Sequence, residues 1–118
     1  MESGLRIASH QSAPGVRRVA LDGVADMDTA DVLRAALDDG LGAPPLPQAL
    51  VVDCDKLSFC ASAGLNEFLR ARMTAVGLGI AFRVAAPQDQ LRRLLRLTET
   101  DTLLGVPPVP ASEPSRPF

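Results

Sequence analysis

The sequence predicts an α/β domain in which a mixed β-sheet starts with a β-hairpin and packs against α-helices. Two observations lead to this fold class. Short strand-like apolar segments alternate with segments in which apolar residues recur about every three to four positions, which is the period of an α-helix. The length of 118 residues fits one domain, and the apolar share of 47% is enough to fill a core.

The first part of the chain predicts the hairpin and one helix. Leu5–Ala8 alternates in the manner of a strand, Gln11–Gly15 contains a Pro-Gly turn, and Val16–Leu21 is expected to form the second strand. A helix is expected at Thr29–Asp39 because apolar residues form a stripe along it. Gly40 is placed to end that helix in the left-handed conformation.

The second part of the chain predicts further alternation of strands and helices. Ala49–Cys54 is almost entirely apolar, which is typical of a central strand covered on both faces. After it we expect a helix at Ala63–Val76, a strand at Gly79–Ala85, a helix at Pro87–Leu97 and a short last strand at Leu103–Val106. The apolar positions expected to be buried are Val32, Leu33, Ala36, Leu37, Val51, Val52, Leu65, Phe68, Leu69, Met73, Ile80, Phe82, Leu91 and Leu94.

The predicted domain spans residues 1–106. Residues 107–118 hold five of the ten prolines of the chain and are expected to form a disordered tail.

Composition and charge argue against several classes of protein. The net charge of −2 gives no cationic surplus for direct nucleic-acid binding, and Trp and Tyr are absent from the sequence. No apolar run approaches the roughly 20 residues of a membrane span, and the N-terminus lacks a signal-peptide pattern, so we expect a cytoplasmic protein without membrane contact. Cys54 and Cys60 lack metal or redox spacing and are expected to be buried free thiols.

The sequence does not contain a recognisable catalytic set. His10 is the only histidine, has no Ser, Cys or metal-ligand partner nearby, and is expected to lie in a loop. The segment Gly77–Gly79 stands between a helix and a strand, which is the wrong order for a dinucleotide-binding loop. We therefore expect no enzymatic activity, no cofactor and no metal.

The stretch Leu57–Leu65 is expected to form a turn from a strand into a helix. Its small residues place backbone amides and the hydroxyl of Ser62 at a helix N-terminus, where negative charge is stabilised. Gly64 is expected to permit close packing at this turn. Before the first helix, Asp26 or Asp28 can accept a backbone hydrogen bond as a cap.

These stretches resemble the STAS family, specifically its anti-sigma factor antagonists. In that family a strand ends in Asp, and the motif Asp-Ser-Ser/Thr-Gly-Leu then opens a helix. Here Val52–Cys54 ends the strand, Ala61–Leu65 opens the helix, and Gly23–Ala30 is similar to the family's Gly-Glu-Leu-Asp-x-x-Thr-Ala. The resemblance covers about residues 4–106 and implies a STAS-like single domain.

The resemblance also implies a partner-switching regulator of transcription. Such a domain binds an anti-sigma factor of the serine kinase type, and this binding releases a sigma factor. The kinase then phosphorylates the second hydroxyl residue of the motif, which breaks the complex until a phosphatase removes the phosphate. Carried over to this chain, the partner-binding positions are Asp26, Ala61, Ser62, Ala63, Gly64 and Asn66.

The chain departs from the family pattern at two of these positions. Ala61 replaces the motif Asp, and Ala63 stands at the usual phosphoacceptor position, where a methyl side chain cannot accept phosphate. Ser62 is the only hydroxyl residue left in the motif. It is either a helix N-cap that contributes about 1 kcal/mol or the phosphorylation site of this protein.

Three functions remain open at this point. The leading one is an anti-sigma factor antagonist, expected to be a monomer or a weak dimer, that is not switched by phosphorylation at position 63. The second is a ligand-sensing STAS module that binds a nucleotide or a lipid at the same turn. The third is a structural subunit of a larger signalling assembly.

Overall fold

Strands and helices alternate along residues 4–106, the part of the chain that this computed structural model describes. Their order is β1 (Leu5–Ala13), β2 (Val16–Ala25), α1 (Ala30–Gly42), β3 (Ala49–Cys60), α2 (Ser62–Leu78), β4 (Ala81–Ala85) and α3 (Asp89–Leu97). The predicted disordered tail, residues 107–118, lies outside the described residues.

Within residues 4–106 the sheet has four strands, in the order β1-β2-β3-β4. The first two form an antiparallel hairpin, and β3 then pairs in parallel with both β2 and β4. The hairpin turn contains Gly15 with a φ of 76°, a conformation that glycine adopts at little cost. This mixed sheet with an initial hairpin confirms the predicted fold class.

The two faces of the sheet differ in what covers them. Val19, Val52 and Val84 are paired side by side across three strands and belong to one buried core cluster with the helices. The opposite face carries charged side chains, including Arg18, whose guanidinium lies 3.4 Å from the carboxylate of Asp53. The expectation that β3 is covered on both faces by apolar elements is therefore wrong.

Most of the predicted core is confirmed. The predicted residues that are buried are Leu33, Leu37, Val51, Val52, Leu65, Phe68, Ile80 and Leu91, and those partly buried against the core are Leu69, Phe82 and Leu94.

Val32 and Met73 are exceptions, with exposed fractions of 52% and 72%. Met73 lies two positions from both Ala71 and Ala75, which are buried, and two positions correspond to about 200° around a helix, so Met73 points away from the core.

The first helix runs beyond its predicted end. Gly40 is a helical, buried residue rather than a terminator. It packs against β3 so closely that a Cβ atom at this position would lie only 3.1 Å from Cδ1 of Leu50. The guanidinium of Arg17 donates hydrogen bonds to the carbonyls of Gly40, Ala43 and Pro45 at 2.6, 3.1 and 2.9 Å. The bonds to Gly40 and Ala43 satisfy carbonyl groups at the end of α1, where a helix lacks internal donors, and the bond to Pro45 holds the segment that follows.

Several other boundaries also differ from the sequence-based expectation. His10 lies within β1 instead of a loop, and α3 begins at Asp89 rather than Pro87. The second helix ends at Leu78, and the residue after it, Gly79, is the C-cap with a φ of 74°. The segment Leu103–Val106 forms turns instead of a strand. Its carbonyl at Leu104 accepts one hydrogen bond, at 2.8 Å, from the β4 amide of Val84.

Candidate functional site

The turn between β3 and α2 consists of a single residue. The sequence predicted that β3 ends near Cys54 and that the helix starts at Ala63, but β3 continues to Cys60 and α2 starts at Ser62. Ala61 has an extended backbone and occupies the N-cap position, and its carbonyl accepts the first helical bond from the amide of Leu65 at 3.0 Å. We call this turn the second corner.

Gly64 holds the second corner against the end of β2. A Cβ atom on Gly64 would lie 2.8 Å from Cβ of Ala25, 2.9 Å from Sγ of Cys60 and 3.0 Å from the carbonyl oxygen of Ala25. The amide of Ala61 also donates to that carbonyl at 2.8 Å. The first turn of α2 can approach β2 this closely only because position 64 has no side chain.

Two glutamine side chains bind the backbone of the C-terminal part of β3. Strand β4 pairs with β3 only as far as Asp53, so the remaining edge of β3 needs other partners. The side-chain amide of Gln90 accepts from the Cys60 amide and donates to the Cys60 carbonyl, both at 2.8 Å. Gln88 donates to the carbonyl of Asp55 at 2.7 Å. The start of α3 thereby positions the residue that precedes the second corner.

The turn between β2 and α1, which we call the first corner, is held by side-chain hydrogen bonds. The carboxylate of Asp26 accepts from the amides of Asp28 and Thr29 at 3.0 and 3.2 Å. The hydroxyl of Thr29 donates to the carbonyl of Val24 and accepts from the amide of Asp26, both at 2.9 Å. The N-cap of α1 is Thr29, so the expectation that Asp26 or Asp28 caps this helix is wrong. Asp26 instead orders the loop before it.

The two corners lie side by side because they follow neighbouring parallel strands. Val24 pairs with Phe59 and Ala25 pairs with Cys60, so both chains leave the sheet at the same edge. The predicted partner-binding residues meet here, and all of them except the buried Gly64 are at least partly exposed. We define the corner surface as Asp26, Met27, Phe59, Ala61, Ser62, Ala63 and Asn66.

The sequence did not single out the two large apolar side chains of this surface. Met27 is 81% exposed and Phe59 is 44% exposed. Met27 follows Asp26 within the motif-like segment before α1, but an isolated methionine in a loop gives no periodic signal that would separate a contact residue from a core residue. Contiguous exposed apolar side chains are typical of protein-binding surfaces, so Met27 and Phe59 are candidate contact residues.

Ser62 is not the N-cap that the sequence suggested. It is the first residue of α2, it is exposed, and its hydroxyl makes no hydrogen bond to any residue in the range 4–106. Ala61 takes the cap position with a methyl group that cannot accept a bond, and the first turn of α2 holds no acidic residue. The positive end of the helix dipole therefore faces outward without a compensating side chain.

Ion pairs between α1 and α2 link the two corners. The carboxylate of Glu67, a buried residue, accepts from two guanidinium nitrogens of Arg34 at 3.1 Å each and from Nε of Arg70 at 3.0 Å. Hydrogen bonding from Arg34 is the main cause that lowers the pKa of Glu67. Arg70 also contacts Asp38 of α1 at 3.2 Å. The helices that follow the two corners are thus joined to each other.

The thiols near the second corner are not poised for chemistry. Cys54 and Cys60 are free and buried, as predicted. Burial raises the pKa of Cys60 to about 12 and raises that of Cys54 as well, so both remain protonated near neutral pH.

Residues 4–106 contain no cluster of three or more His, Cys, Asp or Glu side chains that could hold a metal ion. None of the helices in this part of the chain combines the length and apolarity needed to cross a membrane.

Comparisons with known proteins agree with this architecture. The family model described as Mlab, STAS domain, matches residues 8–105. An anti-sigma factor antagonist from Mycobacterium paratuberculosis is 28% identical, with a TM-score of 0.77 over 89% of this chain and 86% of that chain. The anti-sigma factor antagonist SpoIIAA in its unphosphorylated form is 14% identical, with a TM-score of 0.69 over 92% of this chain and 91% of that chain.

The same fold also occurs in transport proteins. A sulfate transporter family protein from Wolinella succinogenes is 18% identical, with a TM-score of 0.68 over 80% of this chain and 76% of that chain. No curated protein sequence matches significantly. The family match spans most of the chain and includes both corners, and the chain therefore belongs to the STAS domain family.

Proposed function

We propose that this protein is an anti-sigma factor antagonist that acts in the cytoplasm, without enzymatic activity of its own. Its corner surface binds an anti-sigma factor of the serine kinase type, and this binding releases a sigma factor. The observation that carries the proposal is the close packing of α2 on β2 at Gly64. This packing brings Ser62 and Asn66 beside the Asp26 loop. The likeness to the mycobacterial antagonist, at 28% identity, supports the same function.

The exposed apolar side chains of the corner surface supply a contact for the partner. Burying apolar area contributes roughly 25 cal/mol per Å² before the costs of association are subtracted. Met27 lies in the loop before α1, and Phe59 lies near the end of β3, two residues before Ala61; both side chains are exposed. We expect these two side chains to anchor the complex and the polar residues Asp26, Ser62 and Asn66 to orient it.

A binding experiment tests this proposal. Serine-kinase-type anti-sigma factors from the same genome are purified, and their affinities are measured by calorimetry. We expect one of them to bind, and we expect Met27→Arg to weaken binding more than about tenfold. Met73→Arg is the matched control, because Met73 is also highly exposed but lies outside the corner surface.

The proposal fails if none of these anti-sigma factors binds, or if both arginine variants bind as well as the unmodified chain. Isolation of the protein as a stable subunit of a large assembly that contains no anti-sigma factor would favour the third function and contradict this one. A thermal shift with a nucleotide or a lipid alone, abolished by Met27→Arg, would favour ligand sensing instead.

We further propose that phosphorylation does not switch this protein. Ala63 has no hydroxyl, and the exposed Ser62 is the residual acceptor in the motif. After incubation with the cognate kinase and ATP, we expect the intact mass to remain unchanged and Ala63→Ser to gain one phosphate. Stoichiometric phosphorylation of Ser62 that dissociates the complex would overturn this second proposal without affecting the first.

A further inference from the structure

A second surface feature lies away from the corners, where the free edge of the sheet meets α1. It is a groove of about 530 Å³. We call it the β1–α1 groove, and it is lined by Ile7, Ser9, Arg17, Val32, Ala36, Asp39, Gly40 and Ala43. None of these residues belongs to the corner surface.

The backbone of β1 is available along this groove. Strand β1 is an edge strand, because β2 is its only neighbour in the sheet that residues 4–106 form. The carbonyl of Gly4 accepts a hydrogen bond from the amide of Val24 at 3.1 Å, which fixes the alternation of the antiparallel ladder. By this alternation Ile7 and Ser9 direct their amides and carbonyls away from β2. The outward backbone groups therefore belong to the same two β1 residues that line the groove.

The walls of the groove combine aliphatic side chains with two charged ones, Arg17 and Asp39. Ile7, Val32 and Ala36 provide aliphatic surface, and 52% of Val32 is exposed, although a core-facing stripe was expected there. The guanidinium of Arg17 already donates to three carbonyls at the end of α1 and just after it. Asp39 is exposed and forms no ion pair with any residue in 4–106. Arg17 also lacks an ion-pair partner in this range, but its donors are occupied, whereas the carboxylate of Asp39 accepts no hydrogen bond from residues 4–106. Asp39 is therefore the charged group of the groove that is available to a basic ligand side chain.

We propose that the β1–α1 groove binds an extended segment of a partner protein, which adds a strand to β1. The segment forms backbone hydrogen bonds with Ile7 and Ser9, places an apolar side chain against Val32 and Ala36, and carries a Lys or Arg that faces Asp39. Strand addition at an exposed sheet edge is a known mode of peptide recognition, in which backbone bonds give affinity and pockets give specificity.

The C-terminal residues of the chain itself do not meet these requirements. Residues 107–118 contain five prolines, and proline has no amide hydrogen to donate to a strand. The inferred occupant is therefore a segment of another protein, with alternating apolar residues and no proline at the pairing positions.

Selection of random peptides displayed on phage against the full chain tests this inference. We expect enriched peptides to alternate apolar and polar residues and to contain a Lys or Arg. Their binding should fall more than about tenfold with Ser9→Pro, which removes an outward amide that the β1–β2 ladder does not use, and with Val32→Glu. Asp39→Lys should reverse the preference for basic peptides.

Matched controls separate groove binding from damage to the fold. Ser9→Ala keeps the backbone amide and should bind normally, and all variants should retain the melting temperature of the unmodified chain to within a few degrees. Enrichment of no alternating motif, or peptide binding that survives both Ser9→Pro and Val32→Glu, would overturn the inference. A concentration-dependent dimer that Ser9→Pro abolishes would also overturn it, since a second copy of the chain would then be the occupant.

Discussion

The two corners stand at the same edge of the sheet but are held by different forces. At the first corner, Asp26 and Thr29 fix the loop through side-chain hydrogen bonds to nearby backbone groups. At the second corner no side chain caps the helix, and the close approach of Gly64 to Ala25 determines where α2 begins. One corner is held mainly by polar groups and the other mainly by packing.

This difference affects what each corner can offer to a partner. The hydroxyl of Thr29 and Oδ1 of Asp26 are already engaged within the first corner, which leaves Oδ2 of Asp26 to contact a partner. At the second corner the hydroxyl of Ser62 has no partner among residues 4–106, so it is free to contact another molecule. A corner held by packing can thus change its exposed side chains without losing its shape, which explains how Ala61 and Ala63 are tolerated.

The largest expected loss of stability comes from removing a side chain that packs α2 on the core. Phe68 is fully buried one turn after Gly64, and Phe68→Ala should lower the free energy of unfolding by about 3–5 kcal/mol, because it leaves a cavity that the core cannot fill. Chemical denaturation measures this change. Met73→Ala, on the exposed side of the same helix, should change stability by less than about 0.5 kcal/mol. Equal effects of the two variants would show that α2 is not seated through this face.

The next largest expected change in stability tests the close approach of Gly64 to β2. Gly64→Ala should destabilise the fold by about 1–3 kcal/mol, since its methyl group would press against Ala25 and Cys60. Gly77→Ala is the matched control, because a Cβ atom there has no neighbour within 4 Å. Gly77 lies inside α2, so this control should stabilise the protein by up to about 1 kcal/mol. Changes of the same sign in thermal unfolding would contradict the packing account.

The first corner should lose stability when one hydroxyl is removed. Thr29→Val keeps the shape of the side chain but leaves the carbonyl of Val24 and the amide of Asp26 without their partner. We expect a loss of about 1–2 kcal/mol, because both groups are only partly buried. Thr29→Ser retains the hydroxyl and should lose less than Thr29→Val in urea denaturation. A larger loss for the serine variant would mean that the methyl group, not the hydrogen bonds, fixes this corner.

The sequence predicted the elements and the core better than it predicted the corners. Apolar periodicity located each of the helices found in residues 4–106, since a helix must bury one stripe wherever its exact ends lie. The ends depend on tertiary contacts that a sequence pattern does not contain. Gly40, for example, reads as a helix terminator but packs against Leu50 within α1.

The candidate site was predicted in location but not in detail. The motif resemblance placed it at Ala61–Asn66 and Asp26, and the structure brings these residues to one edge of the sheet. The one-residue turn depends on side chains far away in sequence, such as Gln90, whose amide completes the hydrogen bonding of Cys60. No local pattern in the sequence could indicate that contact.

The smallest expected change in stability comes from giving the second corner a polar N-cap. Ala61 already has the extended backbone of an N-cap residue, so Ala61→Asp can accept a bond from a first-turn amide of α2 without moving the chain. We expect stabilisation of about 1 kcal/mol, from the cap and from the favourable charge at the positive end of the helix.

The pH dependence of the Ala61→Asp variant separates these two contributions. A capping carboxylate has a lower pKa in the folded than in the unfolded protein, so its stabilisation is present above the unfolded pKa and disappears as the pH falls through the folded pKa. Ala61→Asn keeps the cap without the charge, and its gain should persist at acidic pH. Thermal unfolding of both variants across this range measures the difference. If neither variant gains stability at neutral pH, the first-turn amides already have a partner, and the two corners are less different than their hydrogen bonds indicate.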